Sequence, residues 1–162
     1  MIVVIMGVSG SGKTTIGRLL ARRLGWPFYD GDDFHPIENI RKMSQGIPLT
    51  DVDRDSWLDA LASLLRNTLE RGGSAVLACS ALKRAYRERL RVDPQRVRFV
   101  YLKGDYAIIR QRLQERSGHF MDPDLLVSQF ETLEEPSQSL TVDIYPLPER
   151  IVDEIIRELS LA

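Results

Sequence analysis

Residues 7–14 read Gly7-Val8-Ser9-Gly10-Ser11-Gly12-Lys13-Thr14. The apolar run Ile2-Val3-Val4-Ile5-Met6 leads into them, and Thr15-Ile16-Gly17-Arg18-Leu19-Leu20-Ala21-Arg22-Arg23-Leu24 follows as a helix. Buried strand, glycine-rich turn, then helix is the setting in which this pattern cradles phosphate. Glycines at 7, 10 and 12 let the backbone curl until several N–H groups point at one anion. The helix start adds its positive end. Lys13 is then placed to reach β- and γ-phosphates, and the Thr14 hydroxyl to join Mg²⁺. The nucleotide-binding set is therefore Gly7, Val8, Ser9, Gly10, Ser11, Gly12, Lys13, Thr14 and Thr15.

The chain around this loop has 162 residues and a net charge of −1. That length suits one domain, residues 1–162, with a central sheet and helices on both faces. The near-neutral charge argues against a sequence-independent grip on nucleic acid or an anionic membrane. One cysteine, Cys79, forms no internal disulfide framework and suits a reducing compartment. No apolar run is long enough to span a bilayer. The first strand begins at about the second residue, which leaves no room for a cleavable leader. The expectation is a cytoplasmic protein.

Further strands are expected at Phe28-Tyr29-Asp30, Ser74–Cys79, Val97–Leu102 and Leu140–Ile144, each separated by helical pattern. Ile37, Ile40 and Met43 are at helical spacing, and Leu58, Leu61, Leu65 and Leu69 form one apolar stripe after a capping region at Thr50. Asp105 is expected to cap a helix whose core face carries Ile109 and Leu113. In the last helix Pro148 stands near the first turn, and Ile151, Ile155 and Leu159 are the buried stripe. Alternating strands and helices predict an α/β fold, a three-layer parallel sheet with right-handed crossovers. Ligands of such sheets bind beyond the carboxyl ends of the strands. The polar clusters 9–14, 30–35 and 80–83 all fall there.

Those clusters suit phosphoryl transfer. Asp30 and Asp32 divide two tasks, orienting Mg²⁺ and accepting a proton from an attacking hydroxyl; which does which is open. Asp33 is the expected helix cap. His35 either bonds a substrate or ties down its own loop. Arg54, among Asp51, Asp53 and Asp55, is either a solvated charge or a fork for a substrate carboxylate. Lys83 begins a helix, where a cation is disfavoured, which hints at an anionic ligand nearby. Arg112 and Arg116, four apart and followed by Gly118 and His119, read as a lid or as an exposed basic face. Cys79 reads as a buried strand residue, and Trp26 and Trp57 as packing.

Taken together these segments resemble the small gluconokinases, relatives of shikimate and adenylate kinases. The resemblance rests on the loop at 7–14, Asp30-Gly31-Asp32-Asp33-Phe34-His35-Pro36, Asn39-Ile40-Arg41-Lys42-Met43 and Pro48-Leu49-Thr50-Asp51-Val52-Asp53-Arg54. It continues through Cys79-Ser80-Ala81-Leu82-Lys83, Tyr101-Leu102-Lys103-Gly104, Gly118-His119-Phe120 and Ser128-Gln129-Phe130-Glu131-Thr132-Leu133-Glu134-Glu135-Pro136. It implies a P-loop kinase fold, five strands in the order 2-3-1-4-5, a lid near 112–124, substrate-binding helices near 33–70, and commonly a homodimer. It also implies transfer of phosphate from ATP, with Mg²⁺, to the 6-hydroxyl of D-gluconate. By resemblance Lys13, Asp32 and Arg116 are catalytic, and Asp32, His35, Arg54, Lys83 and His119 hold the substrate. Thr14 and Asp30 serve the metal, and Arg112 and Arg116 close over the nucleotide. Rival readings are a kinase of shikimate or of a nucleoside monophosphate, and a nucleotide-dependent switch. Ser80-Ala81-Leu82-Lys83 lacks the glycine run expected of the first, and no Asn-Lys-x-Asp segment supports a guanine switch.

Overall fold

The computed structural model describes residues 1–116 and 123–161. Five strands, β1 (Ile2–Met6), β2 (Phe28–Asp30), β3 (Ala75–Ala78), β4 (Val97–Lys103) and β5 (Leu140–Asp143), form one sheet. Its order is β2-β3-β1-β4-β5 and every neighbouring pair is parallel. Seven helices flank it among the described residues: α1 (Lys13–Leu24), α2 (Ile37–Ser44), α3 (Asp51–Glu70), α4 (Arg84–Leu90), α5 (Tyr106–Glu115), α6 (Pro123–Thr132) and α7 (Pro148–Glu158).

The continuous apolar run of β1 is explained by its place at the centre of the sheet. Val4 stands between Leu77 of β3 and Phe99 of β4, and all five residues of β1 are buried. Successive side chains of a strand point to opposite faces. Val3 and Ile5 accordingly join Leu20 of α1, Ile109 of α5 and Ile155 of α7 in one cluster. Ile2, Val4 and Met6 join Leu58, Leu61 and Leu65 of α3 and Leu90 of α4 in the other. The result is the expected three-layer arrangement.

Local signals end and start the helices as their chemistry requires. Gly25 closes α1 at φ 69°, a left-handed position that glycine adopts without a Cβ penalty. Thr50 Oγ1 accepts from Asp53 N while Thr50 N donates to Asp53 Oδ2, a reciprocal cap on α3. Asp105 accepts from Ile108 N at the start of α5.

Two elements depart from the expected packing. α2 forms, but Ile37 and Ile40 are 59% and 49% exposed, whereas Asn39 is buried. The reason is that α2 docks through polar contacts on the first turn of α3 instead of lying on the sheet: Asn39 Nδ2 donates to Asp53 O, and Lys42 pairs with Asp53 at 2.9 Å. The basic helix α4 also turns a charge inward. Arg87 is buried and donates to the carbonyls of Ala81, Leu82 and Glu134, which ties the end of β3 to the end of α6. Among the described residues no helix is long and apolar enough to cross a membrane.

Candidate active site

Strands β1, β2 and β3 end at one edge, and a cleft of about 560 Å³ opens beyond them. Lys13, Thr14, Asp32, His35, Arg54 and Arg116 all line it, so segments far apart in sequence meet there. The stretch 43–49 also lines it, as does the buried Cys79.

Gly10 and Gly12 have φ of 81° and 98°, the left-handed region that the curl of residues 7–14 requires. A Cβ on Gly10 would stand 2.7 Å from Leu113 Cγ, so the loop is pressed directly against α5. Lys13 Nζ donates to Val8 O at 2.9 Å, which holds the ammonium across the loop. Burial lowers the Lys13 pKa below the usual lysine value; Asp32 opposes the fall most among the nearby charges, and Arg116 adds to it.

Thr14 Oγ1 donates to Asp30 Oδ2 at 3.2 Å. Asp30 Oδ1 accepts from Asp32 N at 3.0 Å, so Asp30, and not Asp33, caps the short 3-10 turn Gly31–Phe34. The cap falls to Asp30 because it is the last strand residue, with extended backbone and its side chain at the mouth of the turn. A hydroxyl beside a carboxylate at a helix N-terminus, with an ammonium on the same loop, is a hard-oxygen donor set suited to a magnesium-bound polyphosphate. The residues therefore fit that group. Among the described residues no cluster of three or more His, Cys, Asp or Glu forms a dedicated metal cage.

On the other side of the cleft the acidic run around Arg54 is sorted by its partners. Asp51 pairs with Lys83 at 2.9 Å and accepts from the Tyr86 hydroxyl. Asp53 is taken by the cap and by Lys42, and Asp55 pairs with Arg89 at 2.8 Å. Arg54 alone of this run lines the cleft; its Nη1 donates to Leu49 O at 2.7 Å and to the Tyr86 hydroxyl at 3.2 Å. The guanidinium also lies over the Tyr86 ring, 5.4 Å from its centroid. It is held, not solvated.

His35 stacks on Trp57 with centroids 4.3 Å apart and planes 14° from parallel. Burial and the Arg54 charge push its pKa down to about 4, so it is neutral near pH 7. Its tautomer follows from the neighbours. Asn39 Nδ2 faces the carbonyl of Asp53, which only accepts, and it also faces His35 Nδ1 at 3.2 Å. Nδ1 is therefore the acceptor, and the ring proton is assigned to Nε2.

The remaining expected residues are less united. Lys83 is drawn to Asp51 and does not line the cleft. Arg112 and Arg116 do not share a helix face, because α5 ends at Glu115 and Arg116 has extended backbone. Arg112 donates to Ile144 O at 2.8 Å beside β5, and only Arg116 lines the cleft. His119, with Gly118 and Phe120, lies outside the described residues. Three residues at the site had no functional role assigned from sequence: Gln129, which lines the cleft and bonds Ser9 twice; Trp57, read as packing, which lines it beneath His35; and Tyr86, outside the lining but beneath Arg54. Trp57, one helical turn after Arg54, carried a spacing signal. Gln129 stands in a segment that carries the resemblance, but no spacing points it to Ser9, 120 positions away.

A glycine loop feeding α1 at the carboxyl edge of a parallel 2-3-1-4-5 sheet defines a phosphate-loop kinase fold. The sequence profile of the shikimate kinase family matches residues 9–159. The gluconokinase of Gluconobacter oxydans is 48% identical over 98% of this chain and 90% of that protein. A gluconokinase from Sinorhizobium meliloti superposes with a TM-score of 0.88 at 45% identity, covering 98% of this chain and 90% of that one. A sugar kinase from Janibacter superposes with a TM-score of 0.92 at 45% identity, covering 99% and 95%. The chain belongs to the gluconokinase family, within the wider group of kinases that includes shikimate kinase.

Proposed function

We propose that this protein transfers the γ-phosphoryl group of ATP to the 6-hydroxyl of D-gluconate, giving 6-phosphogluconate and ADP. Beyond family membership, the observation that carries this reading is one cleft lined together by Lys13, Thr14, Asp32 and Arg54. An anionic polyol needs a cation for its carboxylate and polar partners for its hydroxyls. Arg54 supplies the fork, and His35 Nε2–H supplies a neutral donor.

In the proposed reaction the substrate oxygen forms the new bond to the γ-phosphorus as the bond to the β–γ bridging oxygen breaks and ADP leaves. The hydroxyl proton passes to Asp32. Asp30, already between Thr14 and the turn, supports the metal site instead. Lys13 spans the β- and γ-phosphates, and Arg116 neutralises charge on the transferred group. Mg²⁺ would be held by Thr14, with Asp30 behind it, and would offset phosphate charge. Arg112 is assigned to the nucleotide and His119 and Lys83 to gluconate on the resemblance alone. We further propose a lid near 112–124 within a single domain, a homodimer and a cytoplasmic location; light scattering and cell fractionation check the last two.

The test is coupled ADP production with Mg-ATP against D-gluconate, shikimate, AMP, UMP and no acceptor. Turnover only with gluconate is expected. A preference for shikimate or a nucleotide would overturn the pocket assignment, and acceptor-independent ADP release would overturn the kinase reading.

A further inference from the structure

The Val8–Ser9 peptide is gripped from both sides. Lys13 Nζ donates to its carbonyl, Val8 O, at 2.9 Å, and Gln129 Oε1 accepts from its N–H, Ser9 N, at 2.7 Å. Gln129 Nε2 also donates to Ser9 Oγ at 3.1 Å. Since a backbone N–H only donates, the glutamine amide can face Ser9 in one orientation.

We infer that Gln129 is a positioning residue for Lys13, acting through the Val8–Ser9 peptide plane. The inference rests on the kinase reading above. In a planar trans peptide the C=O and N–H point in opposite directions. Holding the N–H on α6 therefore aims the carbonyl at the ammonium. Within the loop the same carbonyl also accepts from Ser11 N at 3.2 Å, so the Gln129 bond is the hold on this peptide that comes from outside the loop. Gly7 and Gly10 flank the pair with φ of 148° and 81°, so the residues on either side add no Cβ, and the Val8 side chain itself is anchored in the core. Lys13 has a long flexible stem and needs an external reference for its tip.

Gln129 stands on a firm base. Leu126, three residues earlier on α6, is buried in the core, and Phe130 packs edge-on against Tyr106 of α5 with centroids 5.6 Å apart. Polarisation along the chain Lys13–peptide–Gln129 strengthens each bond in the relay. The helix that follows residues 117–122 thus sets the lysine that faces the phosphates.

The experiment is steady-state kinetics with Mg-ATP and gluconate on three variants, with direct titration of a non-hydrolysable Mg-ATP analogue. Gln129→Met keeps the volume and removes both bonds. It is expected to lower kcat about tenfold, the scale of one lost positioning hydrogen bond, and to weaken analogue binding. KM for gluconate and the unfolding temperature are expected to stay unchanged. Gln129→Glu keeps an acceptor at the same reach; it recovers kcat but raises KM for ATP, because its charge faces the triphosphate. Ser9→Ala removes only the hydroxyl contact and costs less than Gln129→Met. Wild-type kcat and analogue affinity in Gln129→Met would overturn the inference. So would a kcat loss that Gln129→Glu fails to recover, or a Ser9→Ala loss as large as that of Gln129→Met. Failure of the kinase reading shows separately, as wild-type protein without gluconate-dependent turnover; analogue binding still tests the link in that case.

Discussion

Thr14 Oγ1 and Asp30 Oδ2 are joined by a 3.2 Å hydrogen bond that connects the first turn of α1 to the last residue of β2. The hydroxyl spends its proton on the carboxylate, which leaves its lone pairs available to a cation. In the proposed mechanism Asp30 would act on a metal through Thr14 and water, while its other oxygen holds the turn that carries Asp32.

Asp30→Asn retains an acceptor for Asp32 N and removes the charge. We expect activity to fall about 10–100-fold at limiting Mg²⁺, the usual cost of losing an outer-shell partner. Raising Mg²⁺ should recover part of the loss, with little change in unfolding temperature. Initial rates across a magnesium titration test this; a loss insensitive to magnesium would assign Asp30 a purely structural role.

The stacked His35 makes a pH prediction with a definite sign. Its folded pKa is about 4 against an ordinary value of 6.5, so between these values the unfolded chain binds more protons. Stability is then fully present above about pH 6.5 and is lost as the pH falls through about 4. Asp53, held down to about 2 by the Thr50 backbone bond and Lys42, keeps its contribution across this range and loses it only as the pH falls below the ordinary aspartate value. Unfolding temperature measured from pH 8 to 4 should decline more steeply in the wild type than in His35→Gln between 6.5 and 4. Parallel curves would show that His35 protonates freely.

Arg54 gives a prediction about shape more than charge. Its Nη1 is already committed to Leu49 O and Tyr86, and the ring beneath it orients the plane. Lysine keeps the charge without the planar fork. Arg54→Lys should therefore lower kcat/KM for gluconate about tenfold or more, the scale of one lost charge-assisted hydrogen bond, and leave ATP binding unchanged. Isothermal titration with nucleotide beside gluconate kinetics separates the two; equal losses in both would place Arg54 in the general stability of the cleft.

What was legible in the sequence was whatever depended on near neighbours. The β1 run, the glycine turn, the leucine stripe of α3 and the Thr50 cap each depend on spacings within one element. Arg54 was ambiguous because its acids are consecutive in sequence but are claimed by α4, 30 or more positions away: Asp51 by Lys83 and Tyr86, Asp55 by Arg89. Helical spacing at Ile37 and Ile40 predicted the helix but not its polar docking, since periodicity does not say which face meets the core. The Arg112–Arg116 pairing failed for a different reason. A helix end one residue earlier than four-apart spacing needs sends the two side chains to different places.

Gly17 offers a final prediction in which local propensity and packing oppose each other. It is a buried glycine in the interior of α1, where alanine ordinarily stabilises a helix by about 1 kcal/mol. Here a Cβ would stand 2.6 Å from Phe28 Cε2, well inside van der Waals contact. Phe28 opens β2 and is packed against the core cluster, with Arg18 over its ring at 5.6 Å, so the ring has little room to retreat. Overpacking of this kind costs about 1–3 kcal/mol and outweighs the propensity gain. Gly17→Ala should thus lower the unfolding temperature by several degrees. Because Phe28 lies two residues before Asp30, displacing it should also disturb the Thr14–Asp30 contact and reduce turnover. Thermal unfolding and gluconate kinetics on the same preparation test both; a higher unfolding temperature would mean that the ring yields and propensity wins.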